Sequence, residues 1–290
     1  MTRGNSEAAA EPSVRSALWR AARRQPLFAT GIVLLVLLLA MALLAPLAPY
    51  DPTYIDPAAR LAPPSRAHWL GTDHLGRDVF SRLVHGARVS LLVGLAVALV
   101  STVIGLGIGL LAGFVRPVEL VVMRLMDGLM AIPAVLLAIA LVALTRAGVS
   151  MVIAAIVIPE VPRVVRLVRA IVLAVREQPF VEAAVASGTP LPVLLVRHIL
   201  PATLPALAVQ ATYIAGAAML IEAALSFLGA GTPPEIPTWG NMIAASRLYL
   251  GLAPWTIFAP GIALSLAVLA VNLIGDGLRD RLDPRLRRRL

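Results

Sequence analysis

Six apolar stretches alternate with short polar ones along the chain, near 27–48, 88–114, 119–144, 148–170, 203–228 and 255–275. Each is long enough to cross a hydrocarbon core of about 30 Å, which takes about 20 residues of helix. The pattern predicts an all-α integral membrane protein with six transmembrane helices. The first run follows a polar leader over 1–26 and, at about 22 residues, exceeds the apolar region of a signal peptide, about 7–15 residues. It is expected to remain as an anchor over 27–48. Pro133, Pro159 and Pro162 interrupt the third and fourth runs, and each frees a backbone carbonyl that neighbouring helices or water must satisfy. Kinks are expected at all three. The rest divides into an outer loop over 49–87, a core of five spans over 88–275 containing a polar elbow over 171–202, and a basic tail over 276–290.

Composition supports that reading: 59% of the 290 residues are hydrophobic, only 14% are charged and the mean hydropathy is +0.87. The net charge of +9 is concentrated at the ends and in one internal segment. Because no basic face interleaved with aromatics accompanies it, the charge reflects topology rather than nucleic-acid binding. Arg3, Arg15, Arg20, Arg23 and Arg24 crowd the leader. Arg163, Arg166, Arg169, Arg176 and Arg197 follow the fourth run, and Arg279, Arg281, Arg285, Arg287, Arg288 and Arg289 fill the tail. By contrast, 49–87 sets Arg60, Arg66, Arg77 and Arg82 against Asp51, Asp56, Asp73 and Asp78, and 229–254 sets Arg247 against Glu235. Both termini and the elbow are therefore expected in the cytoplasm and the two balanced loops outside.

All 25 basic residues are Arg. Without Lys the chain cannot build a phosphate-binding loop of the Walker type. Without Cys it has no disulfide, thiolate nucleophile or Cys-based metal site.

The elbow is too polar for lipid. From Phe180 to Val196, Ala183, Ala184, Ala186 and Gly188 share a predicted short helix with Glu182, which Pro190 and Pro192 are expected to end. Such a small-faced helix can enter a groove closely; it can also be a solvated connector whose alanines reflect helix propensity. In the outer loop, Gly71, Thr72, Asp73, Gly76, Arg77 and Asp78 predict a rigid turn: glycines for left-handed dihedrals, acids for side-chain turns, and Arg77 to pair with either acid. The turn can act as a structural clasp or as a contact for solute or a partner. His68, His74 and His85 lie at spacings that match no helical metal pair, so no metal site is expected.

Ionisable residues inside spans are costly, about 2.5–3.5 kcal/mol at a helix centre on insertion scales, and so are functional candidates. Glu119, Arg124 and Asp127 open the third run, with Arg124 and Asp127 expected to pair at three residues' spacing. Glu160 and Glu222 have no comparable partner in view; each could line a solute path, pair with another subunit or make a buried structural hydrogen bond. Gly105, Gly107, Gly109 and Gly113 permit close helix packing.

Glu182-Ala183-Ala184, three residues, Gly188 and ten residues more to Ile199-Leu200-Pro201 resembles the Glu-Ala-Ala loop of ABC-importer permeases. Gly71-Thr72-Asp73-His74-Leu75-Gly76-Arg77-Asp78 with Ser81-Arg82, Gly86-Ala87-Arg88 and Ser90-Leu91 looks like the signature of the dipeptide, oligopeptide and nickel permease family. So do Leu225-Ser226-Phe227-Leu228-Gly229, Pro237-Thr238-Trp239-Gly240-Asn241-Met242, Ala253-Pro254-Trp255, Gly275-Asp276-Gly277-Leu278-Arg279-Asp280 and Leu282-Asp283-Pro284-Arg285. The resemblance covers about 27–287 and is specific to the second of the two permease types; His198 departs from it, standing where Ile is usual.

That resemblance implies the type I ABC importer permease fold in a bacterial-type inner membrane. It implies a homologous second permease, two ATPase subunits or domains that carry ATP and Mg, and an extracytoplasmic solute-binding protein, with lipids around the bundle. Glu182, Ala183, Ala184, Gly188, Leu200 and Pro201 are then the coupling residues, and no cofactor or catalysis belongs to this chain. Di- or oligopeptides are the implied cargo, with nickel or another small solute open. An ATP-independent secondary transporter would instead need inverted repeats or paired intramembrane acids, and a membrane enzyme a nucleophile or metal cluster.

Overall fold

The computed structural model describes residues 25–144 and 148–282. The leader's arginines, Asp283-Pro284-Arg285 and the last arginines of the tail lie outside them. Within the described residues every regular element is helical apart from one isolated antiparallel bridge, Thr72 with Asp78.

Helix α1 (Pro26–Leu43) starts on a proline, whose missing N–H is harmless in the first turn. Helix α2 (Val79–Phe114) follows, starting nine residues before the apolar run because the Asp78 carboxylate caps it by accepting from the Ser81 N–H at 2.7 Å. The third run is a bent pair, α3 (Arg116–Met130) and α4 (Ala134–Ala143), turned by 87° around the Ile132-Pro133 corner. At Pro133 the expected kink is thus a full corner. Pro159 and Pro162, in contrast, sit buried inside an uninterrupted α5 (Val149–Arg176). A short helix α6 (Pro179–Ala186) leads to α7 (Leu191–Phe227), which contains a π turn over Leu195–Ile199. Pro201 has no N–H for the Arg197 carbonyl, and the backbone widens just before it. Helices α8 (Trp239–Ser246) and α9 (Trp255–Leu282) complete the described chain.

By length and apolarity α1, α2, α7 and α9 can each cross a membrane, and the bent α3–α4 pair makes a fifth candidate. Helix α5 has the length, 28 residues, but Glu160, Arg163, Arg166 and Arg169 interrupt its apolar character. The architecture is compatible with six crossings, the fourth being this polar-marked helix.

Helices α2 and α5 form the centre of the bundle and run parallel. A Cβ at Gly105, Gly109 or Gly113 would fall 2.4, 2.7 or 2.6 Å from the Cβ of Val164, Val168 or Val172. Repeating every four residues on both helices, these contacts let the backbones approach where larger side chains would separate them. Gly107, grouped with them by sequence, faces open space.

The bundle has two distinct ends. At one, which we call the loop end, segments 44–78 and 229–254 pack together: the His74 ring stacks on Tyr249, and Arg82 donates to the Pro52 carbonyl at 2.9 Å and to the Pro234 carbonyl at 3.5 Å. At the elbow end lie α6, the α2–α3 turn, the start of α1 and the close of α9. Arg176 there reaches the Gly113 carbonyl at 3.2 Å, and Arg281 donates to Gln25 at 2.7 Å. The two charge-balanced loops thus share one end, opposite the elbow.

Candidate coupling elbow and loop-end clasp

Helix α6 begins on Pro179 and carries Glu182 in its first turn, where a carboxylate meets the positive end of the helix dipole. Val181, 1% exposed, anchors it to the bundle. Glu182, Ala183, Val185 and Ala186 stay exposed, and Ala184 is half-buried. The helix ends in a Schellman motif: the Gly188 N–H donates to the Val185 carbonyl at 2.9 Å and the Thr189 N–H to the Ala184 carbonyl at 3.1 Å, with Gly188 at φ 75°. This corrects the expected ending: Gly188 closes α6, whereas Pro190 and Pro192 open α7, where a missing N–H is harmless. Nothing lies within 4 Å of where a Gly188 Cβ would stand. Its need for glycine is therefore conformational, not a matter of room.

Between α6 and the bundle lies a groove of about 500 Å³ lined by Phe114, Arg176, Glu177, Glu182, Val185 and Ala186. Leu200 is half-buried and Pro201 exposed just beyond the π turn, while Ile199 is fully buried and the His198 Nδ1 is buried without a partner. The elbow therefore offers a polar, small-residue face rimmed by charge, on a helix fixed at one buried valine.

The loop end is organised by Asp73. Its Oδ1 accepts from the Leu75 and Arg77 backbone N–H groups at 2.8 and 3.0 Å, and its Oδ2 accepts from the Arg77 Nε at 2.7 Å. Arg82, 2% exposed, stands 3.8 Å away. Asp78, besides capping α2, meets the His68 Nδ1 at 2.9 Å. Gly76, at φ 77°, passes so near the Asp56 carbonyl that a Cβ would stand 1.8 Å from it. Thr72 donates to the Ala59 carbonyl and accepts from the Ala62 N–H at 2.8 Å. All six residues named from the sequence thus join one buried clasp, in which the Asp73 and Asp78 carboxylates and the Thr72 hydroxyl are engaged internally.

Burial pushes the pKa of His74 below its ordinary 6.5 despite Asp73 beside it, with Arg77, Arg60 and Arg82 adding to the fall. The ring stacks on Tyr249, centroids 5.4 Å apart. A depressed pKa stabilises the fold above the unfolded value and loses that contribution as pH falls below 6.5 toward the folded value. The melting temperature is expected to fall over this window more in the parent than in His74→Asn, as followed by tryptophan fluorescence; identical profiles would remove His74 from the account.

Glu222, 1% exposed, accepts from the Ser226 and Thr238 hydroxyls, both at 2.9 Å. Thr238 in turn caps α8 by accepting from the Asn241 N–H at 3.0 Å. Trp239 is fully buried: its backbone N–H reaches the Ser90 hydroxyl and its indole the Leu83 carbonyl, both at 3.1 Å. Glu222 therefore belongs to a network that straps α8 across α7 and α2. Glu160, 0% exposed, accepts from Arg163 at 2.8 Å through Oε1, while its Oε2 has no partner. Glu222 is thus engaged by two hydroxyls, whereas half of the Glu160 carboxylate stays buried and unpaired. Local partners were present in the sequence after all, at i+3 for Glu160 and i+4 for Glu222.

Replacing Glu222 by Gln, which keeps an acceptor for both hydroxyls, is expected to leave stability within about 1 kcal/mol of the parent. Glu222→Ala is expected to cost about 1–3 kcal/mol by stranding buried hydroxyls. Equal losses in the Gln and Ala variants, measured by thermal melting, would instead make the charge of Glu222, and not its acceptor oxygen, what holds the strap.

The α3 ion pairs also differ from expectation. Asp127 pairs with Arg166 and Glu119 with Arg169, the latter at 2.9 Å through Nε, so both acids tie α3 to α5. Arg124 has no ion pair among the described residues. Sequence spacing favours partners on one helix, but at the elbow end α5 presents a full stripe of arginines across from α3. Arg82, Trp239 and Asn241 stood in the sequence motifs without individual roles, and the structure makes each of them a tie of the loop end. Asn241, 8% exposed, donates to the Thr232 hydroxyl at 2.8 Å. Only Thr238 ahead of a helical stretch signalled this strap, as an N-cap.

A helical bundle with several helices able to cross a membrane, a buried strap at one end and an exposed elbow at the other defines a multi-pass membrane protein. The profile of the family described as binding-protein-dependent transport system inner membrane component matches residues 105–288, and that of the N-terminal TM domain of oligopeptide transport permease C matches residues 14–64. The chain belongs to the binding-protein-dependent transport system inner membrane component family. It is 53% identical to a probable peptide ABC transporter permease protein of Sinorhizobium fredii, over 98% of each chain. It is 41% identical to the dipeptide transport system permease protein of Alkalihalophilus pseudofirmus, covering 93% of this chain and 90% of that one. A solved structure of the MetNI methionine ABC transporter in an inward-facing conformation shares the fold, with a TM-score of 0.58 and 22% identity over 69% of this chain and 96% of that one.

Proposed function

We propose that this chain is the transmembrane permease subunit of an ATP-driven ABC importer that moves di- or oligopeptides delivered by a solute-binding protein. The observation that carries the proposal is the elbow: an eight-residue helix, exposed on its small-residue face and ended by a left-handed glycine. The relatives named for peptide and dipeptide transport support the cargo. In this reading the elbow end and both termini are cytoplasmic, in a bacterial inner membrane, and the loop end receives the loaded binding protein. A homologous second permease completes the path.

Two ATPase subunits or domains bind ATP and Mg and hydrolyse the nucleotide, and this chain supplies no catalytic group. Closure of the nucleotide dimer displaces α6. Val181 and the α5–α6 junction carry that displacement to α5, and the glycine–valine seam passes it to α2. Transport then follows from ATP favouring one bundle arrangement over another through unequal contacts at α6.

The assembled complex in sealed vesicles is expected to accumulate labelled dipeptide only with ATP and the binding protein present, unlabelled peptides competing and nickel not. Accumulation by this chain alone would overturn the proposal, and competition by nickel would reassign the cargo.

A further inference from the structure

We propose that the chain carries a phospholipid site: an acyl chain lies in a groove among α1, α2, α7 and α9, and the lipid phosphodiester sits on Arg88. The groove holds about 360 Å³ and is lined by Leu35, Leu39, Leu43, Leu91, Leu92 and Leu95, with Ala215 and Met219 in its floor. Arg88 is the one charged residue in this lining. It has no hydrogen bond or ion pair among the described residues.

The order of residues along the two helices orients the site. Leu35, Leu39 and Leu43 form one stripe of α1 that ends at its last residue, and Arg88, Leu91, Leu92 and Leu95 form the facing stripe of α2. The helices are antiparallel and joined at the loop end, so Leu43 and Arg88 stand at the mouth and Leu35 and Leu95 at depth. At 1.5 Å per residue α1 spans about 27 Å, close to the thickness of the hydrocarbon core. Its final residue therefore marks the membrane boundary on the loop side, and the Arg88 guanidinium lies at headgroup level. From Leu43 to Leu35 the groove descends about 12 Å, most of one leaflet's hydrocarbon depth.

An unpaired guanidinium beside lipid requires an anionic partner or open water, and its planar fork matches a phosphate with two parallel hydrogen bonds. A free phosphate would leave the leucines uncovered, and a purely apolar segment would leave Arg88 unpaired. A phospholipid meets both needs at the depth where its phosphate and acyl chain lie. Bound there, it fills the seam between the anchor α1 and the permease core, and this extends the role of α1 beyond holding the chain in the membrane.

The test uses the full chain in its assembled complex, in nanodiscs of phosphatidylglycerol and phosphatidylcholine, with native mass spectrometry counting retained lipids. The parent is expected to keep about one phospholipid per chain that resists removal. Arg88→Gln and Leu92→Trp, the second filling the groove from an exposed position, are each expected to lower retention about tenfold. Arg88→Lys, still able to hold phosphate, is expected to stay within about threefold. Undiminished retention in both the Gln and Trp variants would overturn the site. So would cross-linking of Leu92→Cys, the chain's only thiol once introduced, to another polypeptide of the complex through a short reagent, because that face would then be covered by protein.

Discussion

Gly188→Val is expected to leave the protein in the membrane at near-normal amounts while lowering both ATPase co-purification and peptide uptake about tenfold or more. Gly188 holds φ 75°, where a β-branched side chain is strained by roughly 1–2 kcal/mol. The Val185 and Ala184 carbonyls would lose their closing bonds, and the end of α6 would fray. Because the space around Gly188 is open, the rest of the fold has no reason to fail. Gly188→Asn separates conformation from bulk, since Asn tolerates the left-handed region. It is expected to retain most of the ATPase binding. If the Val variant couples normally, α6 is a connector and not a dock; if Asn fails as badly as Val, the surface rather than the turn is what the partner reads.

Asp73→Ala has the largest expected effect on stability. One carboxylate there neutralises two buried arginines and holds two backbone N–H groups. Its removal strands buried positive charge, which costs about 3–5 kcal/mol. The melting temperature of the purified complex and the amount of chain recovered from membranes should both fall sharply. Asp73→Asn keeps acceptor oxygen without charge and should fall between. Uptake is expected to fall in proportion to the protein recovered, as for a clasp. An Ala variant that melts normally yet fails to transport would place Asp73 in contact with solute or binding protein.

Much of this could be read in the sequence because membrane solvation is a one-dimensional constraint. About 20 apolar residues must be helical to satisfy their backbone in lipid, so the six runs and the polar elbow followed from composition alone. The Asp73 turn was legible for a related reason: glycines and Asx residues act within a few positions of themselves. The corner at Pro133 and the continuity of α5 through Pro159 and Pro162 were less so, since a proline breaks or merely strains a helix according to what packs around it.

Residue order by itself determined the helical membrane class and the position of the elbow. Which charges meet was decided only by the tertiary structure. Helical spacing offered Asp127 the nearby Arg124, but the closeness of α3 and α5 gave it Arg166 instead. Glu222 drew its second partner, Thr238, from beyond the end of its own helix. Local geometry acts over a turn or two of chain and is written in residue order, whereas a buried charge is paired by whichever donor the packed bundle brings within reach.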